Sequence, residues 1–237
     1  PDGSLRLWIH VADPGRLVEP DSMLDLEARR RGSSLYLASG NLPMFPLELT
    51  TGPFSLRAGL RSAAWSTWVD LDTEGEIAAY GIERSWVKPT YRLSYSDADD
   101  LIDLAPPEEP DLADLDQLLN RRRQWRVGKG ALLMDLPEGR IRSRDGQPVL
   151  EVSEPSPSRA MVAEAMILAG AIAARFAVEH NLALVRMVAQ RQSQRTGQSF
   201  DELVSAGCLG LIRAVEAFDL GQTCNLSSYA VPYIRGA

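Results

Sequence analysis

The sequence predicts an α+β fold, in which a mixed β-sheet with helices (1–158) is followed by an all-α C-terminal segment. Two features lead to this prediction. Before residue 158, apolar and polar residues alternate in several short runs, which is typical of half-buried strands. Residues 161–186 are instead rich in Ala, Leu, Ile, Val and Met, which favours a long helix. Helical spacing of apolar residues then continues from 199 onward, apart from a loop at 219–225.

Composition is that of an ordinary globular protein. The chain has 237 residues, of which 45% are hydrophobic and 24% charged. Its net charge of −7 means that any contact with nucleic acid must be local. Cys208 and Cys224 are the only cysteines, which gives no disulfide framework, so we expect a reducing, cytoplasmic location. The first residues show no targeting pattern, and we expect both ends of the sequence to be cut.

The first half of the chain alternates between strands and capped helices. Asp21 or Ser22 can begin a helix that runs to Arg31, and Gly32 can end it. A short strand with Tyr36 at its centre follows directly. Apolar and polar alternation predicts strands, in order, at 4–11, 35–37, 63–71 and 76–88.

The second half begins with a short acidic helix, which Ser94 or Ser96 can cap. An amphipathic helix is expected at 112–127. Further strands are predicted at 131–136 and 140–143, with a hairpin turn at 145–146. The uncharged run within the long helix, 165–174, is shorter than the about 20 apolar residues that a membrane span needs, so we expect no membrane contact.

Ordered motifs across 1–180 resemble the RNB catalytic domain, the family of ribonuclease II and ribonuclease R. Each motif by itself is short, but they occur in the order of the family pattern. They are HVADP (10–14), LD and EAR (24–29), RGSSLYL (31–37), PMFP (43–46), SLR (55–57), RLSY (92–95) and MVAEAM (161–166).

The resemblance implies a processive 3′→5′ exoribonuclease that threads single-stranded RNA into a channel and hydrolyses it with Mg²⁺-held water. It assigns Tyr36 to stacking on a base and places Arg31 in the same RNA-binding motif. Tyr95 and Glu164 fall at positions that line the active centre. The residues themselves leave alternatives open. Tyr36 and Tyr95 could serve only in packing, and Glu164, among apolar neighbours, must face solvent or have a buried partner.

The aspartates that hold the metal in this family, in a D-x₅-D-x-D-D-A pattern, are not in the sequence. Asp97, Asp99 and Asp100 resemble a substitute, but on an acidic helix they are interpreted as solvated charge. We therefore expect no metal ligands and no cleavage by this chain alone, with a non-catalytic RNA-binding remnant as the alternative. The basic run 121–126 is interpreted as a solvated helix face rather than a nucleic-acid site.

Residues 181–237 resemble region 2 of sigma-70 factors. The motifs are NLALVR (181–186), FDEL (200–203), GCLGLIRAV (207–215), FD (218–219) and SSYAVPYIRG (227–236). The resemblance implies docking on RNA polymerase through four charged residues: Asp201, Glu202, Arg213 and Glu216. It also implies contact of Tyr229 and Tyr233 with melted promoter DNA, although packing of a short helix explains these tyrosines equally well. We hypothesise a truncated fusion of the two families, with exposed apolar surfaces that favour association.

Overall fold

The computed structural model describes residues 5–108, 110–144, 146–218 and 224–236. The sequence also predicts a hairpin turn at Asp2-Gly3. This turn, Asp145 of the predicted turn at 145–146 and residues 219–223 of the predicted C-terminal loop lie outside the described residues. The chain forms two compact units, Pro1–Ala169 and Gly170–Ala237. It is 50% helical and 21% strand, which confirms the α+β class with a C-terminal helical segment.

Short strands and longer helices alternate along the described residues. The strands are β1 (Arg6–Ala12), β2 (Leu35–Leu37), β3 (Gly40–Leu42), β4 (Ser62–Leu71), β5 (Ile77–Val87), β6 (Glu138–Arg144) and β7 (Gln147–Ser153). The helices are α1 (Met23–Arg31), α2 (Leu47–Thr50), α3 (Tyr95–Leu104), α4 (Asp111–Gly128), α5 (Pro157–Thr196), α6 (Phe200–Ala217) and α7 (Leu226–Arg235).

The core of the first unit is an antiparallel sheet with the strand order β1-β4-β5. Leu7 and Ile9 alternate with exposed neighbours along β1, as the sequence predicts. The central strand β4 buries Ala64 and Val69 completely. The remaining described strands form two hairpins, β2–β3 and β6–β7, which are also antiparallel.

Local capping sets the helix boundaries in this unit. Ser22 caps α1 by accepting a hydrogen bond from the backbone of Asp25, and Gly32 ends that helix at a positive φ of 72°. Ser94 begins α3 with a reciprocal capping box, in which its side chain and that of Asp97 each bond the other's backbone N–H. These boundaries match the predicted ones.

The predicted strand at 131–136 is wrong. These residues have no regular structure, and the side chains of Leu132 and Met134 are 93% and 82% exposed. The turn beside Gly146, whose φ is +76°, instead sets the register of the second hairpin. From that turn the ladder extends to the pair of Glu138 with Ser153, so the strand lies C-terminal to the apolar run.

The long helix α5 extends beyond the predicted range at both ends and has 40 residues. Pro157 opens it, where a missing backbone N–H costs nothing. By length and composition α5 satisfies the criterion for a membrane-spanning helix, with a mean hydropathy of 1.8 over its most apolar window. Only 22% of that window is buried, whereas the core helices of water-soluble proteins that satisfy the same criterion are mostly buried.

All regular secondary structure in the described part of the second unit is helical. Its core is a single cluster of buried apolar side chains from α5, α6 and α7: Val185, Val188, Leu211, Ala214, Ala230 and Ile234. Two glycines of α6 allow close packing. A Cβ atom at Gly210 would lie 2.3 Å from the carbonyl oxygen of Tyr233, so the backbones of α6 and α7 approach closely there. A Cβ atom at Gly207 would lie 2.9 Å from the side chain of Val185 on α5 and 3.1 Å from the side chain of Ile234 on α7.

Candidate nucleic-acid interface

Tyr36 is presented to solvent on the β2–β3 hairpin. Its side chain is 79% exposed, so it is not the core residue that the alternative interpretation proposed. It pairs across the hairpin with Asn41 and lines a groove of about 840 Å³. Arg140 and Arg142 of β6 line the same groove. An exposed aromatic ring beside two guanidinium groups can stack on a base and contact a phosphate.

A backbone contact connects the two hairpins that form this groove. The amide of Ser143 on β6 donates to the carbonyl of Ala38, which follows β2, at 2.9 Å. Because the contact is made by the backbone, it holds the hairpins together without using the side chains that face the groove. Arg140, Ile141 and Arg142 therefore stand in a defined position relative to Tyr36.

Arg31 does not line the groove but connects two segments beside it. Its Nε lies 2.8 Å from the carboxylate of Glu27, one turn earlier on α1, and its Nη1 donates to the carbonyl of Pro43 at 2.9 Å. Hydrogen bonds from Arg30 and Arg31 lower the pKa of Glu27 to about 2. Arg31 thus joins the end of α1 to the segment after β3, and direct contact with RNA stays a prediction.

Tyr95, the first residue of α3, lines a second groove of about 640 Å³. The guanidinium of Arg159 lies 4.2 Å from its ring centroid, a cation–π geometry. The carbonyl of Tyr95 accepts a hydrogen bond from the hydroxyl of Ser158 at 3.1 Å. Arg140 and Arg142 also line this groove, so both grooves border the same two arginines.

Carboxylates partly balance the charge of these shared arginines. Glu151 lies 2.9 Å from Arg142 and 2.8 Å from Arg144, and Glu138 lies 3.7 Å from Arg140. The arginines of all three pairs are exposed and Glu151 is partly exposed, and ion pairs near the surface contribute roughly 0–1 kcal/mol. A phosphate group can therefore compete for the arginines at small cost. Sequence reasoning missed them, although their alternation along 140–144 places them on one face of a strand.

Glu164 lies apart from both grooves and is buried, with 3% of its surface exposed. Its Oε1 is 3.4 Å from the Nε of Arg126 on α4. Of the two alternatives for Glu164, exposure to solvent or a buried partner, the structure shows the buried partner. Burial raises the pKa of the Glu164 carboxyl, and the positive charges of Arg126, Arg122 and Arg123 offset part of this rise.

Replacing Glu164 by glutamine is expected to flatten the dependence of stability on pH. Because the pKa is raised in the folded state, Glu164 favours the fold below the ordinary carboxyl value of 4.5 and loses that contribution as the pH rises through the raised value. Urea unfolding of both proteins at several pH values from 4 to 7 measures the difference. Parallel profiles for the wild type and Glu164→Gln would contradict the assignment.

The acidic helix α3 is structural, and its interpretation as solvated charge is wrong for Asp99. Asp99 accepts a hydrogen bond from the backbone of Ser158 at 2.8 Å and so caps the start of α5. Burial raises the pKa of the Asp99 carboxyl. Hydrogen bonds from Ser158 and Ser156, together with the charge of Arg159, lower it by more than burial raises it, so the net shift is downward. Asp97 serves the capping box of α3.

The carboxylates near the grooves do not fit a magnesium site. Mg²⁺ takes several oxygen ligands in octahedral geometry. Within the described residues no three acidic, histidine or cysteine side chains converge as a metal site would require. Glu164 is paired with an arginine, and Asp97 and Asp99 are used by helix caps. These carboxylates are therefore committed to the fold and do not provide a ligand set for Mg²⁺.

The basic run of α4 is more than a solvated face, which corrects the prediction. Arg122 is 5% exposed and donates to the carbonyl of Gly75 at 2.9 Å, which ties α4 to the turn between β4 and β5. Its guanidinium also lies 4.2 Å from the ring centroid of Trp125. Arg126 pairs with Glu164. These arginines hold α4 in place, whereas Arg121 remains exposed.

In the second unit, the residues predicted to bind polymerase are exposed on α6: Asp201, Glu202, Arg213 and Glu216. Tyr229 and Tyr233 of α7 contact each other, with their hydroxyl oxygens 2.8 Å apart. Tyr229 also packs edge-on against Phe218 and donates to the carbonyl of Ala217 at 3.2 Å. This arrangement matches the packing alternative for the tyrosines, and their contact with DNA stays a prediction.

Comparison with known proteins decides the family. The RNB domain model matches residues 1–227. This chain belongs to the RNB family. An uncharacterized ribonuclease of Synechocystis sp. is 49% identical over 182 residues, which cover 76% of the RNB chain and 27% of the relative. The chloroplastic/mitochondrial ribonuclease II of Arabidopsis thaliana is 39% identical over 189 residues, covering 77% and 24% respectively.

The fold agrees with a solved member of the family. Mycoplasma genitalium RNase R, in complex with double-stranded RNA, matches 96% of the RNB chain at a TM-score of 0.64 and 18% identity, and the match covers 41% of that structure. The chain spans about a quarter of the length of each of the two sequence relatives. The family match includes 181–227, most of the segment that resembles sigma region 2, and the proposed sigma fusion and its polymerase partner are not shown.

Proposed function

We propose that this chain is the RNA-holding part of a 3′→5′ exoribonuclease that acts on single-stranded RNA. Family membership supports hydrolysis of RNA as the reaction class. The observation that carries the proposal is the exposed ring of Tyr36 in a groove bordered by Arg140 and Arg142. Stacking on an aromatic ring accepts every base, which suits an enzyme that degrades RNA without reading its sequence.

The two grooves together can accommodate several nucleotides of a strand, not just one. Tyr36 lines the first groove and Tyr95 the second, and Arg140 and Arg142 border both. A strand that follows both grooves would meet a ring in each groove and the phosphate-binding arginines between them. The ring of Tyr95 is 42% exposed and carries Arg159 over it, so it offers both stacking and positive charge.

Replacing Tyr36 by alanine is expected to weaken binding of single-stranded RNA by between about 5-fold and 150-fold, because stacking on one base contributes roughly 1–3 kcal/mol. Fluorescence anisotropy with labelled oligoadenylate and oligouridylate measures the loss. The loss should be similar for both, and Tyr36→Phe should retain affinity because it keeps the ring. An unchanged affinity of Tyr36→Ala for both oligomers would contradict the proposed groove.

The same samples, supplied with Mg²⁺ and an end-labelled oligomer, test the reaction. We propose that the 237-residue chain binds RNA without shortening it, because the aspartate pattern of the family's metal site is not in its sequence. Denaturing gel electrophoresis shows the outcome directly. Stepwise shortening from the 3′ end by the purified chain would disprove the proposed inactivity and leave the exoribonuclease assignment standing.

A further inference from the structure

The second unit contains a cluster of three arginines that nothing in the proposed function uses. Arg191 and Arg195 lie one turn apart on α5, and Arg235 lies in the last turn of α7. Together with Gln192 and Gln194 they line a groove of about 340 Å³. All three arginines are exposed. The groove is within the second unit, so its shape depends only on how α5 and α7 pack there.

The arginines of this groove have no described carboxylate within ion-pair distance. This distinguishes them from Arg140 and Arg142 of the first unit, which pair with Glu138 and Glu151. Among the described residues no ion pair involves Arg191, Arg195 or Arg235. The sequence explains why. Neither 180–200 nor 224–236 contains an aspartate or a glutamate.

Helix ends explain part of this arrangement but not all of it. Arg195 and Arg235 lie in the last turns of α5 and α7, where cations interact favourably with the helix dipole. Each helix end carries the equivalent of about half a negative charge, so two ends offset about one of the three positive charges. Roughly two positive charges remain in the groove. Its glutamine amides add uncharged hydrogen-bond donors for an anion.

The geometry points to a phosphate-binding site in this groove, which contacts the sugar-phosphate backbone of single-stranded RNA. This inference rests on the proposed function, because it takes the RNA strand as the anion. Guanidinium groups bind phosphate oxygens through paired hydrogen bonds, and three of them can contact successive phosphates. Such contacts position a strand without reading bases, which complements stacking on Tyr36.

Neutralising the three arginines together, as Arg191→Gln, Arg195→Gln and Arg235→Gln, is expected to reduce the salt dependence of RNA binding. Each phosphate contact to a single strand contributes about 0.7 to the slope of log affinity against log salt concentration, so three contribute about 2. The variant should therefore lose roughly 15-fold less affinity than the wild type between 50 and 200 mM KCl. Fluorescence anisotropy with labelled oligouridylate provides both slopes.

A matched variant controls for the change in net charge. Arg61, Arg121 and Arg175 are exposed arginines outside every groove described above, and replacing them by glutamine removes the same charge. Its slope should stay close to that of the wild type. Replacing the three groove arginines by lysine should also preserve the slope, because the positive charges remain. Circular dichroism confirms that each variant retains its helices.

The outcomes separate this inference from the proposed function. Wild-type binding with an unchanged slope in the glutamine variant would overturn the phosphate site alone. Equal loss of slope in the control variant would overturn it too, because the effect would then belong to net charge. Absence of single-stranded RNA binding by the wild type would overturn the proposed function and this inference together.

Discussion

Replacing Asp13 by alanine is expected to destabilise the first unit by about 3 kcal/mol. The Asp13 side chain is 4% exposed, and its Oδ2 lies 3.1 Å from Arg16 and 3.5 Å from Arg84. Arg16 in turn donates to the carbonyl oxygens of Ser85 and Ala64 on the two neighbouring strands. Removing one member of a buried pair leaves an uncompensated charge, which costs roughly 3–5 kcal/mol. The half-exposed position of Arg84 favours the lower end of that range.

Urea unfolding followed by tryptophan fluorescence measures this loss, because the sheet carries Trp8, Trp65 and Trp68. Asp135→Ala is the matched control. It removes a carboxylate that is 61% exposed and pairs with Arg123 at 2.7 Å, and such exposed pairs contribute at most about 1 kcal/mol. Equal losses for both variants would show that Asp13 does not hold the strand ends together.

Replacing Gly210 by alanine is expected to disrupt the packing of α6 on α7 and to cost about 3 kcal/mol or more. The added Cβ would lie 2.3 Å from the carbonyl oxygen of Tyr233 and 2.9 Å from the Cα of Ile234. Both are backbone atoms, which cannot move aside as a flexible side chain can. Overpacking of a close contact typically costs about 1–3 kcal/mol, and a backbone clash lies at the upper end or beyond.

Gly170→Ala provides the control, because it is also a glycine within a helix but its added Cβ would meet nothing within 4 Å. Alanine there should stabilise the helix by about 0.5–1 kcal/mol through its higher helix propensity. Hydrogen exchange of amides in α6 and α7 measures the effect of Gly210→Ala, and Gly170→Ala, which lies on α5, should leave their protection unchanged. Protection that is preserved in Gly210→Ala would show that the two helices do not approach as closely as described.

The strand and helix pattern of the first unit could be predicted where local interactions decide it. The alternation along β1, the caps of α1 and α3 and the hairpin near Gly146 each depend on residues within a few positions of one another. The strand expected at 131–136 failed because an apolar run carries no information about its pairing. The turn that includes Gly146 instead determines which residues pair with β7, and these begin at Glu138.

The residues of the candidate interface could be predicted only in part. The resemblance to the RNB family, which is confirmed, indicated Tyr36 and Tyr95, and each lines a groove. It also indicated Glu164, which is buried and paired with Arg126 instead. The sequence did not indicate that Arg140 and Arg142 lie beside Tyr36, since more than 100 residues separate them. It also did not indicate the role of Asp99, because its partner Ser158 is 59 positions away.

The sequence by itself indicated the RNB family through its ordered motifs. It also determined the caps of α1 and α3 and the alternation along β1, because these depend on neighbouring residues. Only the tertiary structure decided which charges are used for the fold and which remain available to a ligand. Glu164 is paired inside the fold with Arg126, whereas Arg191, Arg195 and Arg235 converge without a described carboxylate partner. The physical reason is that burial and pairing of charge depend on distances between elements, and chain neighbours do not set those distances.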